Sequence, residues 1–138
     1  IGMETLGLRM ERACSNAKAL AEFLNTYPDI TVNYPGLACS PWHDVADKVL
    51  ANGYGAILTI RVGSKERAFS IINNLSIPKI VSNIGDTKTL IIHPESTLNA
   101  HSTEKEKEDA GVFDNLIRIS VGIEDIEDLI EDFKAALA

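Results

Sequence analysis

Arg118 is the residue whose surroundings most plainly require a chemical partner. It lies in Leu116-Ile117-Arg118-Ile119-Ser120-Val121. Strand alternation there puts Leu116, Arg118 and Ser120 on one face and Ile117, Ile119 and Val121 on the other. A guanidinium keeps its proton, and burying it unpaired is costly. The side chain must therefore meet an acid of the protein, open solvent on one sheet face, or the anion of a ligand. Its planar fork of donors suits a carboxylate held through both oxygens.

The other reactive groups form no constellation. The three histidines, His43, His93 and His101, show no i,i+4 helical pairing and no cysteine at zinc-ligand spacing, so no metal site is expected. His43 reads as part of the first turn of a helix, and His93 as a loop residue beside Pro94. Cys14 fills a helix interior or flank, and Cys39 has no neighbouring base to activate it. Lys79 and Lys88 flank Asn83-Ile84-Gly85-Asp86, which reads as a turn. A Schiff-base lysine needs desolvation or a cationic neighbour, and the sequence supplies no evidence of either for these two. With no phosphate loop and no nucleophile–base pair, the residues by themselves lead to an α/β domain. A stand-alone binding or oligomerisation module, with Arg118 in a structural ion pair, stays open at this point.

The elements that must position these groups follow from periodicity. Leu6, Met10, Ala13, Ala17, Leu20 and Leu24 form one apolar stripe, predicting a helix over 4–26 that is long for a domain of this size. Tyr27-Pro28-Asp29 ends it, and 30–34 alternates like a short strand before the turn Pro35-Gly36. Ser40-Pro41 reads as a helix start, with the helix running through Val45 and Val49 towards Gly53. The β-branched run 55–62 is a strand, and Ser64 caps a helix through Phe69, Ile72 and Leu75. Short strands are expected at 77–83 and 89–92. Thr103 and Glu106 have capping-box spacing for a charged helix to Asp109. The strand 116–121 precedes a last helix over 125–137, whose first turns carry the acidic run Glu124-Asp125-Ile126-Glu127-Asp128. Strands separated by helices give an α/β sandwich, one sheet with helices packed on it.

Composition agrees with this class. The chain has 138 residues, of which 45% are hydrophobic and 24% charged, as expected of one ordinary globular domain with a real core. A formal net charge of -7 argues against nucleic acid as a partner. The two cysteines fall short of a disulfide framework, no apolar run is long enough for a membrane span, and the opening residues do not read as a signal peptide. A cytoplasmic protein without a membrane partner is the expectation.

Four segments, in order, resemble the C-terminal domain of the Cys/Met-metabolism pyridoxal-phosphate enzymes. They are Glu4-Thr5-Leu6-Gly7-Leu8-Arg9-Met10 with Asn16-Ala17, Tyr34-Pro35-Gly36-Leu37 with Pro41-x-His43, the run from Asn83 to Thr97, and Leu116 to Asp125. The resemblance implies the small C-terminal domain of a fold-type-I pyridoxal-phosphate-dependent transferase, a mostly antiparallel sheet with helices packed on it, spanning 1–138. It implies that a larger upstream domain carries pyridoxal 5'-phosphate and the Schiff-base lysine. No catalytic, cofactor-binding or metal-ligating residue is then expected in the chain itself, which alone would be inactive. By position, Arg118 would bind the α-carboxylate of an amino-acid substrate, and Asn83 would line the site, touching substrate or the arginine.

Within the family, Asn83-Ile84-Gly85-Asp86-x-Lys88-Thr89-Leu90 looks more like the O-acetylhomoserine sulfhydrylases (O-acetylhomoserine aminocarboxypropyltransferases), where many lyases and cystathionine synthases read Ser-Leu-Gly. The implied reaction is γ-replacement of acetate in O-acetyl-L-homoserine by sulfide or a thiol, giving homocysteine or methionine. The alternatives are a cystathionine γ-synthase or a methionine or cystathionine γ-lyase. A homotetramer is the implied assembly of the whole enzyme. One departure is Leu98-Asn99 where many relatives have Thr-His, the next histidine being His101.

Overall fold

The computed structural model describes residues 2–138. Helix α1 (Leu6–Leu24) leads to strand β1 (Thr31–Asn33), helix α2 (His43–Val49) and strand β2 (Ile57–Arg61). Helix α3 (Lys65–Asn74), strand β3 (Lys79–Ile80), strand β4 (Leu90–Ile92) and helix α4 (Glu104–Asp109) follow, then strand β5 (Leu116–Ser120) and helix α5 (Ile126–Leu137). The strands form one five-stranded sheet of order β1-β2-β5-β4-β3. All pairs are antiparallel except β3 with β4, so the expected mostly antiparallel α/β sandwich is what the chain builds.

One sheet face is dry. Register places Leu58 and Ile91 opposite Ile119, and Ile60 opposite Ile117. These side chains join Leu20 and Leu24 of α1, Ala68 and Ile71 of α3, and Leu129 and Phe133 of α5 in a single core cluster. Burying such aliphatic and aromatic groups is the main favourable term for the fold. The opposite face carries Ile57, Thr59, Arg61, Arg118 and Ser120, by the same register. Arg61 stacks its guanidinium 3.8 Å over the ring of Phe113 there.

Local signals set most helix starts. The Ser64 hydroxyl accepts the Arg67 N–H at 3.2 Å, Thr103 and Glu106 form the full capping box, and Asp125 accepts the Glu127 N–H at 3.0 Å. Three expectations are corrected. Helix α2 begins at His43, not Ser40, because the Ser40 hydroxyl accepts the Trp42 N–H at 3.3 Å inside a turn and is spent before the helix starts. Its Val45 and Val49 are exposed, and Ala46 is the buried residue. The strand expected over 77–83 pairs only at Lys79–Ile80, and the chain then leaves the ladder. Glu124 does not belong to the first turn of α5. It precedes the Asp125 cap and binds Thr89 instead. The apolar stripe of α1 also divides: Ala13, Ala17, Leu20 and Leu24 are buried, while Leu6 and Met10 remain 44% and 42% exposed.

A polar knot ties the end of β5 to α1 and to the approach to β4. Buried Asn16 donates to the Gly122 carbonyl at 3.1 Å and to the Glu124 carbonyl at 2.8 Å. The Thr89 hydroxyl accepts the Gly122 N–H at 3.0 Å and donates to Glu124 at 2.9 Å, and the Ile123 N–H reaches the Thr87 carbonyl at 2.9 Å. The backbones here are so close that a Cβ on Gly122 would stand 2.6 Å from the Lys88 carbonyl carbon and against the Thr87 oxygen. Gly122→Ala is expected to destabilise the protein by about 1–3 kcal/mol through overpacking, read as a lower urea midpoint with unchanged slope; an unchanged midpoint would contradict the close approach.

Glu95 ties α3 to α4. Its carboxylate receives Lys65 and Lys107, each at 2.8 Å, and these two ammonium groups hold its pKa down at about 2 against an ordinary 4.5. A carboxyl whose pKa is depressed by folding stabilises the folded state above its unfolded pKa, and that contribution disappears as pH falls through the folded value. The window here runs from 4.5 down to about 2. Glu95→Gln is expected to flatten the loss of stability across that window relative to the parent protein, measured as urea midpoints at several pH values. Parallel pH profiles for the two proteins would contradict the assignment.

Candidate functional site

The site is built from the outer face of β5 and the loop 82–88 that crosses it. Ile117 and Ile119 anchor β5 in the core, so Arg118 is forced onto the opposite face, opposite Thr59 on β2 and Ile92 on β4. It is half-buried there. Its Nη2 donates to the carbonyl of Ser82 at 2.7 Å and to that of Asn83 at 3.3 Å. No ion pair among the described residues includes it. Burial lowers its pKa from the ordinary guanidinium value, and no acid among the described residues offsets the loss of water. The structural ion pair considered from sequence is therefore not what the fold provides. Two neutral carbonyls orient the guanidinium, and its Nη1 and Nε have no protein acceptor among the described residues. That leaves most of a five-donor fork available to an anion.

The same bonds explain why β3 is short. Carbonyls that a longer strand would give to a neighbour, those of Ser82 and Asn83, turn to Arg118 instead. Asn83 meets the arginine through its backbone; its side chain is exposed. The loop then turns at Gly85, whose φ of 76° lies in the left-handed region. The Gly85 N–H donates to the Ser120 hydroxyl at 3.1 Å. Asp86 closes the turn by accepting the Lys88 N–H at 3.0 Å, a bond that lowers its pKa. Beside Ser120 and Gly85 opens a cavity of about 360 Å³ with a mainly apolar wall of Met10, Tyr54, Ile57 and Ile84.

The remaining sequence candidates lie elsewhere. His43 begins α2, bonds the Pro35 carbonyl through Nδ1 at 2.8 Å and lies beside Tyr54, whose hydroxyl donates to Asp47. His93 is buried, with Nε2 on the Asp114 carbonyl at 2.6 Å and Nδ1 on Ser96 at 2.8 Å, so both ring nitrogens have structural partners. His101 is exposed. Lys79 bonds the Ser76 carbonyl at 3.4 Å and Lys88 is exposed; neither lines the cavity. Cys14 and Cys39 are free thiols. Among the described residues no cluster of His, Cys, Asp and Glu is placed to hold a metal ion, and no helix is long and apolar enough to cross a membrane. Sequence reasoning overlooked Ser120. Its signal was available: a hydroxyl among aliphatic neighbours on a strand, which burial obliges to form a hydrogen bond.

Comparison with known proteins bears directly on this arrangement. The family model for Cys/Met metabolism PLP-dependent enzymes matches residues 1–138. A homocysteine synthase of Schizosaccharomyces pombe is 45% identical over 99% of this chain and 32% of its own length. An L-methionine gamma-lyase of Fusobacterium nucleatum subsp. polymorphum is 43% identical over 99% of this chain and 35% of its own. The crystal structure of a putative O-acetylhomoserine (thiol)-lyase from Campylobacter jejuni, which carries a pyridoxyl-lysine phosphate, superposes with a TM-score of 0.94. It is 39% identical and is covered over 33% of its length, against 99% of this chain. The chain thus spans about a third of the length of the relatives it matches. With a match along its whole length, the chain belongs to the Cys/Met metabolism pyridoxal-phosphate-dependent enzyme family.

Proposed function

We propose that this chain is the C-terminal, substrate-carboxylate-binding domain of an O-acetyl-L-homoserine sulfhydrylase, which exchanges acetate for sulfide or a thiol to give homocysteine or methionine. The observation that carries the proposal is Arg118: a charged fork on the outer face of β5, bonded among the described residues only to two backbone carbonyls, with donors left over. An α-carboxylate supplies the paired, in-plane acceptors that such a fork matches. Asn83 contributes by carrying one of the carbonyls that aim the guanidinium.

Pyridoxal 5'-phosphate supplies the electron sink for this chemistry when bound. The described residues do not fit the task of holding it, since Lys79 and Lys88 are exposed and no lysine lines the cavity. The cofactor and its lysine are accordingly proposed to lie in the rest of the enzyme, and the isolated chain to have no turnover. What these residues do is bind and orient. Arg118 anchors one end of an amino acid, and the clamped loop 82–88 keeps that anchor in one geometry, so that the reacting carbon is presented consistently. The sulfhydrylase reading is supported by the homocysteine synthase and the thiol-lyase structure among the relatives. The methionine gamma-lyase at comparable identity favours a γ-lyase as the second reading.

The test uses the full-length enzyme. Turnover of O-acetyl-L-homoserine with sulfide, and little with L-methionine alone, is expected of the sulfhydrylase; the reverse pattern would establish the lyase. Arg118→Ala is expected to raise the KM for the amino acid by roughly 30- to 300-fold, about 2–3.5 kcal/mol of lost charge-assisted bonding. Arg118→Lys, which keeps the charge but loses the fork, should recover only part of that loss. An unchanged KM in Arg118→Ala would overturn the carboxylate role.

A further inference from the structure

We propose that Ser120 is a positioning residue for ligand binding at Arg118: its hydroxyl holds Gly85, and thereby holds the Ser82 and Asn83 carbonyls that aim the guanidinium. This inference rests on the carboxylate reading of Arg118 and adds the group that sets the geometry of that anchor.

Ser120 is only 2% exposed, on a strand whose other buried positions are all aliphatic. A hydroxyl in such a place is unfavourable unless bonded. The partner recorded for its oxygen is the Gly85 N–H, at 3.1 Å. Ser120 and Arg118 are two residues apart on one face of β5, so the strand acts as a rigid ruler of roughly 6.8 Å between them. Loop 82–88 is bonded at both ends of that ruler: the Ser82 and Asn83 carbonyls to Arg118, and the Gly85 amide to Ser120. Beyond Gly85 the next backbone tie to the region of β5 is the Thr87 carbonyl with the Ile123 N–H. Among the described residues, the stretch from Ile84 to Asp86 has no backbone tether to the strand beneath it other than the Ser120 bond. Without that bond the loop could slide along Arg118, and its carbonyls would no longer fix the direction of the free donors. Preorganisation of that kind is worth affinity because the fork does not have to be ordered when the ligand arrives.

The test measures binding of L-norleucine, an amino acid with an α-carboxylate and no leaving group, to the full-length holoenzyme by calorimetry. Ser120→Ala is expected to weaken binding roughly tenfold, in line with loss of one buried hydrogen bond acting on the anchor. Ser120→Cys, close to serine in volume but a poor acceptor, should weaken it in the same way while preserving packing. Ser120→Thr, which keeps the hydroxyl, should restore it to within about threefold. The decisive comparison is made in an Arg118→Lys background, where the fork that Ser120 positions is absent. There Ser120→Ala should change the dissociation constant by less than about twofold, because residues acting through one network are not additive. Thermal midpoints recorded on each variant separate binding from folding. Parent-like binding by both Ser120→Ala and Ser120→Cys, or an undiminished tenfold effect in the Arg118→Lys background, would overturn the role of Ser120 alone. Parent-like binding by Arg118→Lys and Arg118→Ala together would instead overturn the carboxylate reading beneath it.

Discussion

A guanidinium that cannot shed its proton, placed at the centre of an aliphatic strand, needs oxygen close by. Here the oxygen comes from backbone: the carbonyls of Ser82 and Asn83 face Arg118, and no carboxylate of the described residues does. Much of the local architecture depends on this one arrangement. It draws the chain out of the sheet after Ile80, makes β3 the shortest strand, and lays loop 82–88 across β5. Neutral acceptors satisfy part of the guanidinium without cancelling its charge, which is the condition for a structural cation to serve also as an anion receptor.

The loop is clamped by alternate residues of a single stretch. Arg118 and Ser120 hold its first half, and Glu124 with Gly122 engages Thr89 just beyond its end. Asn16 then bonds the Gly122 and Glu124 carbonyls, so the long helix α1 buttresses the same turn from the core side. The dry face of the sheet and the α1–α3–α5 layer thereby transmit rigidity to the outer face. Interiors packed to this density do not deform continuously, and a site fixed to one inherits its definition.

Legibility in the sequence followed the range of the interaction. Ser64 and the Thr103–Glu106 capping box were readable because each is a contact across three residues. The alternation that isolates Arg118 from Ile117 and Ile119 was readable because strand period is local as well. Ser40 misled because a helix-capping residue and a turn residue look alike until it is known which N–H the hydroxyl takes. Glu124 misled for a similar reason: an acid beside a helix start suits the dipole, yet its partner Thr89 is distant in sequence. The partnership of Ser120 with Gly85 joins residues 35 positions apart, and no spacing rule encodes it. Arg118 was thus visible as a question, while its answer in backbone carbonyls required the fold.

Whether the free donors of Arg118 receive an amino-acid carboxylate is decided by a crystal structure of the full-length holoenzyme with L-norleucine bound. The expected result is a carboxylate oxygen within about 3 Å of the Nη1 or Nε of Arg118, with the Ser82 and Asn83 carbonyls still on Nη2. A carboxylate seated on other residues, with Arg118 bonded only to those two carbonyls, would contradict it.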